Sequence, residues 1–352
     1  MGWKGAASVT VVGAGVFGLA TALALAEAGL RVRVLTATAP DQTASGVAAG
    51  MLAPAFETLL DPPATDALDL FLSSRDLWPA LSEGIGVALD RSGTAATGGG
   101  VWVDRLEAGF AARGLKVARA DRHELEAWAP GLNPALGAGL VTPEDWRIEP
   151  RAALAAMARR LAALGGTLEI RKVAARDIEV EAPVVLATGP SPDLLSLAPE
   201  LGRLSPIKGQ ILWRGKGPAP ARVIRTEGAY VLGSEGGVLA GATMESGRSD
   251  TAPEPAAQEG LRRALAALLD VPSEGWTTRV GVRAATPDGL PLAGAAARSG
   301  VFLAAGARRN GWLLAPLVAR IVTAALCGDD AGPWAARLDP ARFGLAAEGG
   351  GA

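Results

Sequence analysis

One six-residue turn constrains this chain more than anything else in it: Gly13-Ala14-Gly15-Val16-Phe17-Gly18. Before it stands the β-branched run 8–12, suited to a strand buried on both faces of a parallel sheet. After it, 17–28 reads as an alanine- and leucine-rich helix, Gly29 sits where a helix C-cap belongs, and 31–35 alternates into a second strand. Strand, turn, helix and strand within about thirty residues are the setting in which G-x-G-x-x-G signifies dinucleotide binding. Gly13 permits the tight turn, Gly15 lets the backbone approach a pyrophosphate, and Gly18 lets helix and strand pack closely. Val16 and Phe17 then offer N–H groups at the positive end of a helix. The second strand runs out at Thr36 and Ala37, where an acidic residue usually meets the ribose hydroxyls. The hydroxyl of Thr36 is a weaker ligand than a carboxylate. The pattern does not separate FAD from NAD.

This stretch must be told apart from a membrane span, because no charge falls between Val9 and Ala26. Its glycines and threonines are explained by a soluble turn and helix, so no membrane partner is expected. The single cysteine, Cys327, excludes an internal disulfide and fits a cytoplasmic protein. With one histidine, His123, no His/Cys metal cluster is available. His123 lies in the charged stretch 121–126 and reads as solvent-facing, which argues against a Ser-His-Asp triad. A net charge of −2 with scattered basic residues argues against a nucleic-acid partner. At 352 residues, 49% of them hydrophobic, the chain has material for two cores and hence two domains.

Further along, Thr43-Ala44-Ser45-Gly46-Val47-Ala48-Ala49-Gly50-Met51-Leu52-Ala53-Pro54 is nearly free of large side chains, with Glu57 beyond it. Asp145-Trp146-Arg147-Ile148-Glu149-Pro150 precedes a helix predicted over 151–164 and a strand over 167–173. Val184-Val185-Leu186-Ala187-Thr188-Gly189 is a second buried strand ending in a glycine turn, and Ile207-Lys208-Gly209-Gln210 opens another. Then come Gly241-Ala242-Thr243-Met244, the run Gly281-Val282-Arg283-Ala284-Ala285-Thr286-Pro287-Asp288-Gly289-Leu290-Pro291, and Ala305-Gly306-Ala307-Arg308-Arg309-Asn310-Gly311-Trp312-Leu313-Leu314-Ala315-Pro316. In this order, from Val9 to about Leu326, the segments resemble the D-amino acid oxidase superfamily of FAD-dependent oxidoreductases, and within it the glycine oxidases.

The resemblance implies an α/β chain (α+β overall): an FAD-binding Rossmann-like domain from 1–84, 147–203 and 283–338, with an inserted, mostly antiparallel substrate-binding domain from 85–146 and 204–282. Residues 339–352 would form a mobile tail. It implies non-covalent FAD, since the branch with tethered flavin carries a cysteine before its T-x-D segment and this chain does not. The cofactor would meet Gly13, Gly15, Val16, Phe17 and Gly18, then Thr36 and Ala37, and the small-residue segment at Ala44, Ser45, Ala49, Gly50 and Met51. Val173 would lie at the adenine, with Thr188 and Gly189 beside the cofactor. Residues Ala307, Arg308, Arg309, Asn310, Gly311, Trp312 and Leu313 would bring backbone N–H groups at a helix start to the negative charge that arrives on the flavin. Pro316 is tolerable there if it falls in the first helical turn.

For the substrate, the resemblance implies an α-carboxylate held by Arg283 and Tyr230, with Arg309 and Met244 at the pocket; a guanidinium fork matches a carboxylate bidentately. Hydride would pass from Cα to flavin N5 without a separate general base, giving an imine, and molecular oxygen would be reduced to hydrogen peroxide. The implied substrate is glycine or another small amino acid, with the imine serving thiazole synthesis for thiamin. A D-amino acid or sarcosine oxidase shares these residues, and Gly228 and Ala307 are small enough to suggest a roomier pocket. An FAD-dependent RNA-modifying or electron-transferring subunit is the remaining reading, and a homo-oligomer is allowed.

Overall fold

The computed structural model describes residues 8–178, 181–215, 219–270 and 274–344. Their strands form three sheets, of six, nine and three strands. In the first, Ser8–Val12 pairs in parallel with Arg31–Thr36 on one side and Val184–Leu186 on the other. Val301–Ala305 and Thr167–Ile170 extend it in parallel, and Leu292–Ala295 closes one edge antiparallel. Val9 and Val11 face one apolar core, which the helices Val16–Glu27, Pro150–Ala163 and Gly311–Cys327 complete. Val12 and Leu35 face a second core with Leu194, Leu197 and Leu201. Burial on both faces is why the strand carries no charge.

Predicted and observed elements differ mainly at their ends. The first helix begins at Val16, and its C-cap is Ala28, with Gly29 just beyond at φ +88°. The strand predicted over 167–173 stops at Ile170. Its partner strand ends at Thr36, and after one more bond, from Arg171 N–H to the Thr36 carbonyl, it has nothing to pair with.

Pro316 corrects a stronger expectation. The helix starts at Gly311, so the proline lies past the first turn and the Trp312 carbonyl loses its helical donor. Trp78 Nε1 donates to that carbonyl at 3.0 Å, and Ser74 Oγ donates to the next one, Leu313, at 2.8 Å. The tail also needs correcting at its start. Pro340–Phe343 is a 3₁₀ turn packed on the first sheet, and Arg342 pairs with Asp288 at 2.9 Å. The rest of that expected tail, 345–352, lies outside the described residues.

The nine-stranded sheet is antiparallel except where Val223–Thr226 runs parallel to Thr94–Thr97. Its longest pairing sets Thr277–Ala285 against Ser205–Arg214, so the former strand belongs to this sheet through Ala285, beyond the expected boundary at 282. The small third sheet pairs Met51–Leu52 and Leu89–Asp90 with Trp146–Ile148. It holds the small-residue segment between the two large sheets.

Candidate active site

Two cavities meet between the large sheets and share Ala44, Ala48, Arg283, Arg309 and Trp312 as walls. The first, of about 350 Å³, follows the dinucleotide turn. Gly13 turns at φ +110°, and a Cβ on it would come within 2.2 Å of the Ala187 carbonyl oxygen. On Gly18 a Cβ would meet the Gly13 carbonyl oxygen at 1.9 Å, so this glycine serves helix packing and does not line the cavity. Gly15 presents its bare face to the cavity; a Cβ there would have only Ser45 Oγ close to it, at 3.2 Å. Ser45 Oγ accepts the Val16 N–H at 3.0 Å, and the Ser45 carbonyl accepts Trp312 Nε1 at 3.0 Å. These bonds tie the small-residue segment to both helix starts.

Phe17, Thr36, Ala37, Val173, Thr188, Gly189, Ala307, Arg308 and Gly311 complete the expected residues along this cavity. Thr36 is buried and its hydroxyl donates to the Thr38 carbonyl at 2.9 Å, leaving only acceptor capacity toward the cavity. Ala49, Gly50, Met51 and Asn310 line the second cavity instead, and the Leu313 side chain is in the core. Gly311, Trp312 and Leu313 precede the first helical bond, Leu314 N–H to the Asn310 carbonyl, so their N–H groups are those a helix start leaves open.

The second cavity, of about 680 Å³, brings Tyr230, Met244, Arg283 and Arg309 together. Arg283 and Tyr230 stand on strands that are not neighbours; two strands, carrying Gly209 and Gly241, run between them. A Cβ on Gly209 would lie 2.2 Å from Arg283 Nη1, and a Cβ on Gly241 would lie 2.6 Å from the Tyr230 hydroxyl. Each polar group therefore reaches inward across a glycine. These two glycines stand in segments noticed in the sequence, but their task needs the strand order to be seen.

Arg283 donates to the Thr243 carbonyl at 3.2 Å and touches Met244 Sδ at 3.3 Å. Neither partner is anionic, and among the described residues no carboxylate pairs with it. Burial lowers its pKa, and the neighbouring Arg309 acts in the same direction. A guanidinium nevertheless stays protonated, so its charge lacks a counterion. Burial pushes the Tyr230 hydroxyl up, outweighing Arg283 beside it, so the group is a donor at neutral pH.

Arg308 and Arg309 are both paired with carboxylates. Arg308, at φ +53°, turns its guanidinium onto buried Asp61 with bonds of 2.9 and 2.8 Å, and its N–H donates to the Ala284 carbonyl at 2.7 Å. The Asn310 N–H is likewise spent on the Ala307 carbonyl at 2.8 Å, so neither offers the N–H expected at the flavin. Arg309 pairs with Glu57 at 2.6 Å, and that carboxylate raises its pKa. Arg225 takes the same carboxylate at 3.0 Å and lies over Phe56, its guanidinium carbon 5.2 Å from the ring centre. Glu57 is therefore a shared counterion on the cavity wall. Its helix, Pro54–Leu60, has no cap of its own; Asp145 accepts the N–H groups of Ala55 at 2.8 Å and Phe56 at 3.1 Å. Full burial pushes Asp145 up to about 7, against the pull of Arg225 and those two N–H groups. Arg225 and the cap formed by Asp145 left no pattern in the sequence, because both depend on residues more than 80 positions away.

Set beside known proteins, the chain matches the family model for DAO, FAD dependent oxidoreductase, over residues 8–325. It belongs to that family and is an FAD-dependent amino-acid oxidase. It is 32% identical to the glycine oxidase of Pseudomonas aeruginosa, over 91% of this chain and 94% of that one. It is 30% identical to the bifunctional protein ThiO/ThiG of a Synechocystis species over 95% of its own length, and spans 54% of that relative. The crystal structure of glycine oxidase from Geobacillus kaustophilus is similar throughout, with a TM-score of 0.82 at 27% identity, covering 95% of this chain and 98% of that one.

The first cavity fits FAD on its own chemistry: a bare glycine face, open helix N–H groups and a carbonyl-tight turn leave room for a pyrophosphate where a Cβ would stand. Neither Cys327 nor His123 lines either cavity, so the chain's one thiol and one imidazole are not placed to tether a flavin. Among the described residues no helix is long and apolar enough to cross a membrane.

Proposed function

We propose that this chain oxidises glycine or another small α-amino acid at its Cα–N bond, in the second cavity. One observation carries the reading: Arg283, a cation without a counterion, faces that cavity beside a protonated tyrosine. An incoming α-carboxylate supplies the missing charge, accepts the guanidinium fork and takes the Tyr230 hydroxyl as a further donor. Two anchors on one carboxylate orient the Cα–H bond, and Met244 limits the pocket behind Arg283. FAD, when bound, would supply the hydride acceptor that molecular oxygen reoxidises. Its phosphates are assigned to Gly13, Gly15, Val16 and Phe17, its adenine end to Thr36, Ala37 and Val173, and its ring to Ala44, Ser45, Ala49 to Met51 and the N–H groups at Gly311 to Leu313. The six-stranded sheet is then the cofactor domain and the nine-stranded sheet the substrate domain.

No acid–base residue is assigned, because hydride loss from the neutral amine gives the iminium ion directly, which loses its proton to solvent as the imine. A role in supplying that imine to thiazole synthesis is supported by the ThiO/ThiG relative. A cavity of 680 Å³ supports substrates larger than glycine as well, so D-alanine and sarcosine belong beside it. Peroxide release by the purified yellow protein against glycine, sarcosine, D-alanine and a simple alkylamine tests the reading. At least one amino acid should be turned over while the alkylamine is not; equal oxidation of the alkylamine would remove the carboxylate anchor from the mechanism.

A further inference from the structure

The second cavity holds more positive charge than one carboxylate can answer. Its walls carry five arginines and two glutamates. Glu57 is already divided between Arg225 and Arg309, and Arg283 is the α-carboxylate anchor proposed above. Two arginines remain, Arg105 and Arg113, both on the helix Gly100–Ala112 or at its C-cap. Trp102, Arg105, Leu106, Gly109 and Arg113 all line the cavity, and their spacing of three, four, seven and eleven residues from Trp102 puts them on one helix face. Arg105 is exposed and Arg113 half-buried, and among the described residues neither pairs with a carboxylate. Arg113 makes only a 3.3 Å bond to the Gly109 carbonyl of its own turn.

Neither arginine, nor Trp102, Leu106 or Gly109, lines the first cavity, so this cationic end lies away from the wall shared with the cofactor. The remaining acid, Glu227, is exposed on the turn between Val223–Thr226 and Ala229–Ser234, and no ion pair joins it to either arginine. Other parts of the lining are apolar or small, among them Val47, Leu59, Leu60, Ile211 and Ala242. The chamber thus carries guanidinium groups without a carboxylate partner on two parts of its lining, Arg283 on the wall shared with the first cavity and Arg105 and Arg113 on the helix Gly100–Ala112 and its C-cap, with volume for roughly twenty waters at liquid density.

We propose that the preferred substrate is an amino acid or secondary amine with a second carboxylate, its α-carboxylate on Arg283 and Tyr230 and its distal one on Arg105 and Arg113. The inference rests on the amino-acid oxidase reading of the same site. The reaction is unchanged: the Cα–H bond breaks and its electron pair and hydrogen leave as hydride, the nitrogen lone pair forms the C=N bond of an iminium ion, and molecular oxygen takes the two electrons, that hydrogen and one proton lost from the iminium nitrogen as hydrogen peroxide. The distal carboxylate does not react; it lowers KM and chooses among substrates.

The test uses the FAD-loaded protein and the double variant Arg105→Ala/Arg113→Ala, whose side chains take no part in the α-carboxylate clamp. By calorimetry, glutarate should bind about tenfold more tightly than butyrate, as one added charge-assisted contact in a partly open site allows, and the double variant should lose that margin. In turnover, D-glutamate should show a higher kcat/KM than D-glutamine, and iminodiacetate a higher one than sarcosine. In the variant the acids should fall to the level of their neutral counterparts through KM, with kcat and the neutral substrates unmoved. Equal binding of glutarate and butyrate, or a variant that weakens both alike, overturns the proposal. Good turnover of neutral amino acids with no preference for the second carboxylate overturns it while leaving the oxidase reading intact. A glutarate margin that depends on Arg105 and Arg113, without oxidation of any amino acid, upholds the two-cation chamber and removes the oxidase reading.

Discussion

The first cavity is organised around backbone features: the glycine turn, the starts of two helices, and a run of alanine, serine and glycine between them. The second is lined by many side chains, among them five guanidinium groups whose partners decide their availability. There Arg309 and Arg225 share Glu57, while Arg283 has no carboxylate partner among the described residues; Arg308, on the first cavity, is neutralised by Asp61. A backbone site depends on what is missing, namely Cβ atoms. A side-chain site depends on which charges have already been answered. The two should therefore respond to different substitutions.

The largest expected effect is on the side-chain side. Arg283→Ala should cost about 3–5 kcal/mol in kcat/KM for amino acids, the range for breaking a desolvated ion pair, while flavin content and spectrum stay near normal. Steady-state kinetics with the flavin spectrum recorded in parallel checks both halves; a loss of flavin along with turnover would merge the two cavities into one functional unit. Tyr230→Phe, which removes one hydroxyl, should cost less.

Gly209→Ala carries the distinction into the second cavity's own backbone. The new methyl would take the place of the Arg283 guanidinium, and overpacking of that kind costs about 1–3 kcal/mol. The loss should appear as a higher KM for amino acids with FAD binding unchanged. A normal KM would mean that the guanidinium has another resting place from which to hold the carboxylate.

Asp145 gives a test in stability instead of rate. Its pKa is raised to about 7 by burial, so its neutral form is the one the fold prefers. Its contribution is then fully present below the unfolded value near 3.8 and is lost as pH rises through about 7. Asp145→Asn should therefore gain stability relative to the natural protein as pH rises from 4 to 7, by about 1–3 kcal/mol, measured by denaturant unfolding across that window. A difference that stays flat would place the carboxyl in its ordinary range, held there by Arg225 and the N–H groups of Ala55 and Phe56.

The smallest effect belongs to the first cavity. Thr36→Glu restores a charged acceptor at the end of the second strand and should tighten FAD binding by about 1 kcal/mol, read as the dissociation constant on dilution. Substrate kinetics at saturating FAD should not change. If they do, the strand end at Thr36 is coupled to the substrate chamber.

Most of the first region was legible in the residues alone. The turn at 13–18, the buried strands 8–12 and 184–186 and the last helix all appear close to where the pattern put them, because each is set by local periodicity and by glycines within a few positions of one another. Pro316 misled for the opposite reason. Its acceptability depends on Trp78, more than 230 residues away, which donates to the carbonyl the proline leaves unpaired.

The sequence by itself determined that a dinucleotide is held on a βαβ unit and that one thiol and one imidazole leave no His/Cys metal cluster or internal disulfide to build with, and its family pattern pointed to Arg283 and Tyr230 as the proposed carboxylate anchors. Only the tertiary structure decided which arginines are spent and which are available. Arg308, Arg309 and Arg283 are the same residue type within 27 positions, and nothing local separates them. What separates them is where Asp61 and Glu57 arrive when the helix Pro54–Leu60 and the chain after it dock against the last helix. Electrostatic pairing acts through space over a few ångströms, so it is settled by the packing of distant segments and leaves no periodic trace along the chain.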